Sequence, residues 1–341
     1  MPELDDASVD LVVTSPPYPM IEMWDASFSA LDSDIDAALR SGSGDVAFQL
    51  MHRQLDLTWS ECARVLKPGG FLCVNIGDAT RTISEQFRLY PNHARVTTCC
   101  ESLGFQSLPP VIWRKQTNAP NKFMGSGMLP SGAYVTLEHE YIHILRKGGK
   151  RKFSENEKQR RRKSAFFWEE RNVWFSDMWD FKGTRQQLSD VDSRTRSGAF
   201  PFDLPWRLVQ MFSSQEDLVL DPFLGTGTTQ AACVVSARNS LGYELDATML
   251  PVVERTLRDA AGSASELLAE RVESHRKFLS KRPDEKKPTY RNLAHGFDVV
   301  TKQEVGLEIQ GVDGFRRIDE YCFRCEHSRI RGSDQVELDF G

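Results

Sequence analysis

Between residues 218 and 244 the chain dictates its own topology. An apolar run, Leu218-Val219-Leu220, enters the turn Asp221-Pro222-Phe223-Leu224-Gly225-Thr226-Gly227-Thr228-Thr229, and a helical stretch from Thr228 to Ala237 leads to a second run, Ser240 to Glu244. Strands this short and apolar are covered on both faces, and a strand–helix–strand unit places them parallel through a right-handed crossover. The glycines let the backbone approach a ligand closely, and the helix behind them offers free N–H groups. Glu244, ending the second strand, can accept both hydroxyls of a ribose. A P-loop Lys is absent, and Gln230 stands where a dinucleotide fingerprint has its third Gly, so the pattern suits a nucleoside without a polyphosphate. Alone, the same residues also make a tight strand-to-helix turn.

A second strand of this kind opens the chain. Val9-Asp10-Leu11-Val12-Val13-Thr14 runs into Ser15-Pro16-Pro17-Tyr18, where two prolines end both helix and ladder. Its C-terminal end is where α/β sheets place their chemistry. The rigid turn presents carbonyls, the Ser15 hydroxyl and the flat face of Tyr18. Such a site can accept hydrogen bonds from an exocyclic amino group while a planar base stacks on the ring. A proline-rich turn without function has the same appearance.

The intervening sequence supports an α/β reading. Residues 25 to 45, rich in Asp, Ser and Gly, read as a flexible loop. Leu55, Trp59, Cys62 and Leu66 recur at helical spacing before Lys67-Pro68-Gly69-Gly70, which stops the helix, and Phe71 to Ile76 is a strand. Val111-Ile112-Trp113 and Tyr141 to Leu145 are further strand candidates. Residues 146 to 171 carry eleven Lys or Arg against four Glu, in a chain of net charge -5. That stretch is either a solvated face or a phosphate-contacting surface built on Lys150, Arg151, Lys152, Arg160, Arg161, Arg162 and Lys163. A helix over Trp206–Phe212 precedes the Gly-rich unit. A long helical pattern from Ala247 to Leu279 follows it, then a charged linker and a small, β-rich appendix of about 50 residues.

Together the two motifs resemble those of the permuted β group of DNA amino-methyltransferases. The chain has Thr-Ser-Pro-Pro-Tyr first, a variable basic region next, and Asp-Pro-Phe-x-Gly-x-Gly-Thr-Thr last, so its catalytic motif precedes its cofactor motif as in that group. The resemblance covers residues 1 to 260. Arg64 to Gly70 looks like that family's helix-to-strand turn, and Ile112-Trp113-Arg114-Lys115 and Glu140-Tyr141-Ile142 look like the strands before its recognition region. Ser197-Gly198-Ala199-Phe200-Pro201 resembles its cofactor-side motif, with Ser-Gly where His-Pro is usual. The resemblance implies an α/β, doubly wound, mostly parallel sheet: the class I S-adenosylmethionine-dependent methyltransferase fold, permuted, with an inserted target-recognition region. The halves would be residues 1–145 (catalytic) and 197–280 (cofactor-binding), with 146–196 for recognition and 281–341 as linker and appendix.

By that resemblance S-adenosylmethionine is the cofactor. Thr14, Asp221, Phe223, Gly225, Thr226, Gly227 and Thr228 would line its site, with Glu244 on the ribose and Phe200 and Pro201 at the methionine end. Ser15, Pro16, Pro17 and Tyr18 would hold a base flipped out of double-stranded DNA. A leading Ser in this tetrapeptide is associated in the family with cytosine N4, so N4-methylcytosine is expected over N6-methyladenine. A cognate restriction endonuclease would share the DNA site without direct contact. A further strand, bearing an Asp on the cofactor's adenine, is expected upstream of Met1 or within the appendix, for instance at Phe297-Asp298-Val299-Val300. A non-catalytic DNA-binding relative is the rival within the family.

Other signals point elsewhere less strongly. His139-Glu140-Tyr141-Ile142-His143 spells a zinc-peptidase motif, but its flanks are β-branched and alternating. On a strand, residues four apart lie about 13 Å apart, too far for one zinc. Cys322, Cys325 and His327 are half a zinc site at most. Carbon-5 methylation of cytosine would need a nucleophilic Cys, typically after Pro, and the sequence has no Pro-Cys pair. Seven irregularly spaced cysteines, an acidic N-terminus and the lack of an 18-residue apolar run predict a cytoplasmic protein with reduced thiols and no membrane span.

Overall fold

The structure is a computed structural model that describes residues 1–115, 124–125, 129–182 and 200–330. In chain order its elements are β1 (Val9–Thr14), α1 (Asp25–Leu31), α2 (Ser33–Arg40), α3 (Gly44–Val65), β2 (Leu66–Ile76), β3 (Ala79–Ile83), β4 (Gln86–Tyr90), α4 (Asn92–Ser102), β5 (Phe105–Arg114), β6 (Met124–Gly125), β7 (Ala133–Tyr134) and β8 (His139–Lys147). Then come α5 (Glu155–Lys163), α6 (Trp168–Trp174), β9 (Met178–Asp180), α7 (Asp203–Phe212), β10 (Leu218–Asp221), α8 (Thr228–Val235), β11 (Asn239–Gly242), α9 (Leu250–Ser280), β12 (Tyr290–Arg291), β13 (Asp298–Val299), β14 (Gln310–Arg317) and β15 (Phe323–Arg329).

The central sheet runs β11-β10-β1-β2-β8-β5-β9. β11, β10, β1 and β2 are mutually parallel, β9 is parallel to β5, and β8 is antiparallel to both neighbours. Early and late parts of the chain therefore meet in mid-sheet, where Leu11 and Val12 pair with Val219 and Leu220. Every residue of β1 is buried, which explains its unalternating apolar sequence. Helix α3 covers one face through Phe48, Met51, Leu55, Trp59 and Cys62, and α7 and α8 cover the other through Leu204, Leu208, Ala232 and Cys233.

Residues 25 to 45 are not a loop. Two helices form there because Asp32 caps α2, its side chain accepting the Asp34 N–H at 3.0 Å, and because Phe28 and Ile35 are buried beneath them. The turn Lys67-Pro68-Gly69-Gly70 is absorbed into the start of β2 beside a register shift against β1. Phe297–Val300 does not extend the main sheet: β13 pairs with β12, β14 pairs with β15, and among the described residues no strand pairs with the outer edge of β11. Instead the appendix packs on α8 and α9, with Leu307 and Ile309 against Ala264 and Leu268. Glu304 accepts the Trp168 N–H at 2.9 Å.

Candidate active site

The two motif-bearing strands lie side by side and parallel, so their C-terminal turns are adjacent lips at one end of the sheet. Thr14, at the end of β1, donates its hydroxyl to Asp221 Oδ1 at 2.6 Å, across 207 residues of chain. The same oxygen accepts the Phe223 N–H at 3.1 Å. Burial pushes the Asp221 carboxyl up to about 6, against the pull of these donors.

Beyond β10 the chain turns through Gly225 and Gly227 into α8. Gly227 has φ +80°, and a Cβ there would meet Val253 Cγ1 at 3.1 Å, so both conformation and space call for glycine. Glu244, two residues past β11, accepts the Gly225 N–H at 2.9 Å and the Asp246 N–H at 2.9 Å. Each oxygen keeps lone pairs for hydroxyl donors. Phe223 packs edge-on to buried Trp59, 5.9 Å between centroids. Thr226 and Thr228 are joined through their hydroxyls at 3.2 Å. Phe200 and Pro201 are buried, Phe200 beside Val13 and Leu204; Ser197, Gly198 and Ala199 fall outside the described residues.

On the other lip, the half-buried Tyr18 turns its hydroxyl inward. The hydroxyl donates to Glu140 Oε2 at 2.9 Å and lies 3.1 Å from Ser15 Oγ. Asn75 Nδ2, from β2, donates to the same Glu140 oxygen at 2.7 Å and to the Tyr18 oxygen at 2.9 Å. Lys115, just past β5, pairs with Glu140 Oε1. Gly77 makes room for this cluster, since a Cβ there would lie 3.0 Å from Tyr18 Cε2 and 3.2 Å from Glu140 Cγ. The phenol is held well above its ordinary range, first by burial and then by the Glu140 charge.

The sequence alone puts Glu140 and Lys115 on strands without assigning them a role, and it does not single out Asn75 or Asn92. A signal for Asn75 exists: a polar residue inside the buried run Phe71–Ile76 must have a partner. Asn92, at the start of α4, ties together the segments that follow β1 and β2. Its Nδ2 donates to the carbonyls of Pro19 (3.1 Å) and Gly77 (3.0 Å), and its Oδ1 accepts from His52 Nε2 at 2.9 Å. Burial holds His52 down to about 4, and burial followed by the nearby His93 does the same to His143. The unfolded chain binds protons at these sites below pH 6.5, whereas the folded chain does so only near pH 4. Their contribution to stability is therefore complete above pH 6.5 and is lost as pH falls toward 4. By pH 5 each should cost about 2 kcal/mol. Urea midpoints at pH 7 and pH 5 check this: the drop should be clearly smaller in His52→Gln than in the wild type, and an equal drop would contradict it.

The basic segment is placed elsewhere. Arg151 pairs with Asp10 at 2.8 Å and Glu157 at 2.9 Å and lies 3.5 Å from Asp217. Asp10 precedes Thr14 by four strand residues, about 13 Å, so this cluster is at the opposite end of the sheet from the cleft. Arg160 pairs with Glu216, Lys163 with Glu308, and Arg161 lies over Phe153. Lys150, Lys152 and Arg162 are exposed. The structure joins the two motifs and does not bring this segment to them.

The zinc-peptidase spacing falls on strand β8. Tyr141 lies between His139 and His143 and stacks on His93 at 4.1 Å. Cys62, Cys73, Cys100 and Cys233 are buried, and burial raises their thiols. None is poised as a nucleophile.

Comparison with known proteins agrees with this architecture. A family model described as DNA methylase (N6/N4) matches residues 9–255. The chain is 47% identical over 333 residues to the type II methyltransferase M.MthZI of Methanothermobacter thermautotrophicus, covering 97% of this chain and 93% of that one. It is 47% identical over 268 residues to the type II methyltransferase M.MjaI of Methanocaldococcus jannaschii, covering 75% and 88%. Among solved structures, TTHA0409 of Thermus thermophilus, described as a putative DNA modification methylase complexed with S-adenosyl-L-methionine, superposes with TM-score 0.55 at 32% identity, covering 76% and 89%. The cytosine-N4-specific PvuII DNA methyltransferase, 15% identical with TM-score 0.50 over 75% and 88%, shares the fold. The chain belongs to the N6/N4 family of DNA methyltransferases, and its mostly parallel sheet is that of the class I enzymes.

Proposed function

We propose that this chain methylates the exocyclic N4 of cytosine in double-stranded DNA, using S-adenosylmethionine and a base flipped out of the helix. The observation that carries this reading is the Thr14–Asp221 bond, which holds the Ser-Pro-Pro-Tyr turn against the Gly-rich turn. The residues fit the cofactor. The Gly225 backbone is open, with nothing closer than 3.9 Å to an added Cβ, Glu244 offers a carboxylate for two hydroxyls, and residues 221–229 contain no Lys or Arg to demand a phosphate. Bound there, S-adenosylmethionine supplies an electrophilic sulfonium methyl group.

The protein's own part is positioning. An exocyclic amine is a weak nucleophile because its lone pair is delocalised into the ring. Ser15 Oγ and the Pro16 carbonyl accept its hydrogens and favour a pyramidal nitrogen, while the Tyr18 ring stacks on the base. A paired base cannot reach this turn, hence the flip. Asp221, Phe223 and the backbone of Gly225 to Thr228 hold the cofactor, with Phe200 and Pro201 at its methionine end. No phosphate contact is assigned to residues 150–163, because they lie at the far end of the sheet. The reading places the protein in the cytoplasm, marking DNA sites against a cognate restriction endonuclease. Among the described residues no helix is long and apolar enough to cross a membrane.

The leading Ser of the tetrapeptide supports cytosine; the same acceptors would serve adenine N6. Incubation with labelled S-adenosylmethionine and mixed-sequence duplex DNA, followed by nucleoside analysis, decides. Label in 4-methylcytosine is expected. Label in 6-methyladenine would replace the base, and label in neither would leave a DNA-binding protein without catalysis.

A further inference from the structure

Glu140 lies two strands away from the Ser-Pro-Pro-Tyr turn, yet its side chain is wired into it. The bonding has a direction. Ionised Glu140 can only accept, so Tyr18 gives its proton to Oε2 and Asn75 must turn its amide nitrogen toward the same oxygen. With the phenol proton committed, the 3.1 Å contact between Ser15 and Tyr18 has Ser15 as donor. The Ser15 oxygen then keeps its lone pairs for an incoming amino hydrogen. Glu140 meets Tyr18 from the turn after β1, Asn75 and Gly77 from β2 and its end, and Lys115 from the end of β5, and Ser15 reaches it through Tyr18.

Methylation of an amine releases a proton. The nitrogen forms its N–C bond as the sulfonium S–C bond breaks, and it must then shed one hydrogen as a proton. Neither a serine hydroxyl nor a proline carbonyl is a base that can keep it. We propose that Glu140 is the terminus of a proton relay from the target nitrogen through the Ser15 and Tyr18 hydroxyls. Each hydroxyl takes one proton and passes one on, so both end neutral and the Glu140 carboxylate ends as the acid. Lys115 pairs with the other oxygen of that carboxylate, and its exposed side lets the proton leave to solvent afterwards. Asn75 keeps the Tyr18 and Glu140 oxygens together. The inference rests on the proposed amino-methylation and adds where its proton goes.

The test compares wild type with Glu140→Gln and Glu140→Asp in single-turnover methylation of duplex DNA from pH 6.5 to 9. Equilibrium binding of S-adenosylmethionine and of the duplex is measured on the same proteins. Glu140→Gln should bind both within about threefold of wild type but transfer methyl about 100-fold more slowly at pH 7. Its rate should climb steeply with pH, as hydroxide replaces the lost acceptor, while the wild-type rate stays flat. Glu140→Asp should recover at least about tenfold over the Gln variant. A Glu140→Gln rate within threefold of wild type, or a loss equal at every pH that aspartate does not relieve, would overturn the relay and leave Glu140 a brace. A wild-type chain that methylates no base would instead overturn the amino-methylation reading, and the relay with it.

Discussion

Replacing Tyr18 by alanine is expected to slow methyl transfer about 100-fold or more while leaving S-adenosylmethionine affinity within about threefold. The asymmetry follows from the cleft. On the proposed reading Tyr18 stands on the lip that would hold the base, and its hydroxyl bonds go to Glu140, Ser15 and Asn75 rather than to the Gly-rich turn. Its ring supplies a stacking face worth about 1–3 kcal/mol per base, and its hydroxyl ties Ser15, Asn75 and Glu140 together. Tyr18→Phe separates these parts, since it keeps the ring and loses the hydroxyl. It should bind flipped-base DNA nearly as well as wild type and still turn over slowly. The alanine variant also loses packing against the core cluster that includes Met20 and Trp59, at a cost of about 3 kcal/mol, so its melting point must be checked alongside. Wild-type turnover by a folded Tyr18→Ala protein would remove the stacking role.

The second large effect falls on the other lip. Asp221→Ala leaves the Thr14 hydroxyl and the Phe223 N–H without their acceptor in a buried site, at about 1–3 kcal/mol for each. It should unfold at markedly lower denaturant and bind the cofactor at least about tenfold more weakly. Asp221→Asn behaves differently because of the sign of its titration. The folded carboxyl stands at about 6, above its ordinary 3.8. Its protonated form therefore stabilises the fold at low pH, and that contribution is lost as pH rises through 6. Asparagine keeps a neutral acceptor and escapes the loss, which amounts to about 3 kcal/mol at pH 8. Calorimetry at pH 8 should find Asp221→Asn melting at or above wild type and Asp221→Ala well below it. An asparagine variant as unstable as the alanine one would refute this account of the buried carboxylate.

How much of this is legible in the sequence depends on whether a residue's job is local. The strands at Val9–Thr14 and Leu218–Leu220 announce themselves by unbroken apolar runs, and the Gly-rich turn by its spacing. Their adjacency rests on pairing across some two hundred residues, for which motif order in a resembling family is the only guide. Helices α1 and α2 are hidden because Asp and Ser, which read as loop-formers, serve as a cap and a solvent face over Phe28 and Ile35. Arg151 reads as one charge in a basic run; that it is spent on Asp10, Glu157 and Asp217 depends on three separate elements meeting. Asn92 has no spacing signature, and the motif around Glu140 does not disclose its role. Their importance comes from which carbonyl or hydroxyl the fold brings within reach.

The mid-sheet junction of β1 with β10 also sets a schedule for synthesis. Once β2 and α3 have emerged, β1 can settle against them, but its other edge waits for residues 207 positions further on. At ribosomal speeds of roughly 5–20 residues per second the interval from Thr14 to Asp221 is about 10–40 s. During it an apolar strand edge is open to mispairing. Each newly made molecule therefore lacks its joined motifs until Asp221 has been made, and a lag of that length should separate the synthesis of β1 from the assembly of the site.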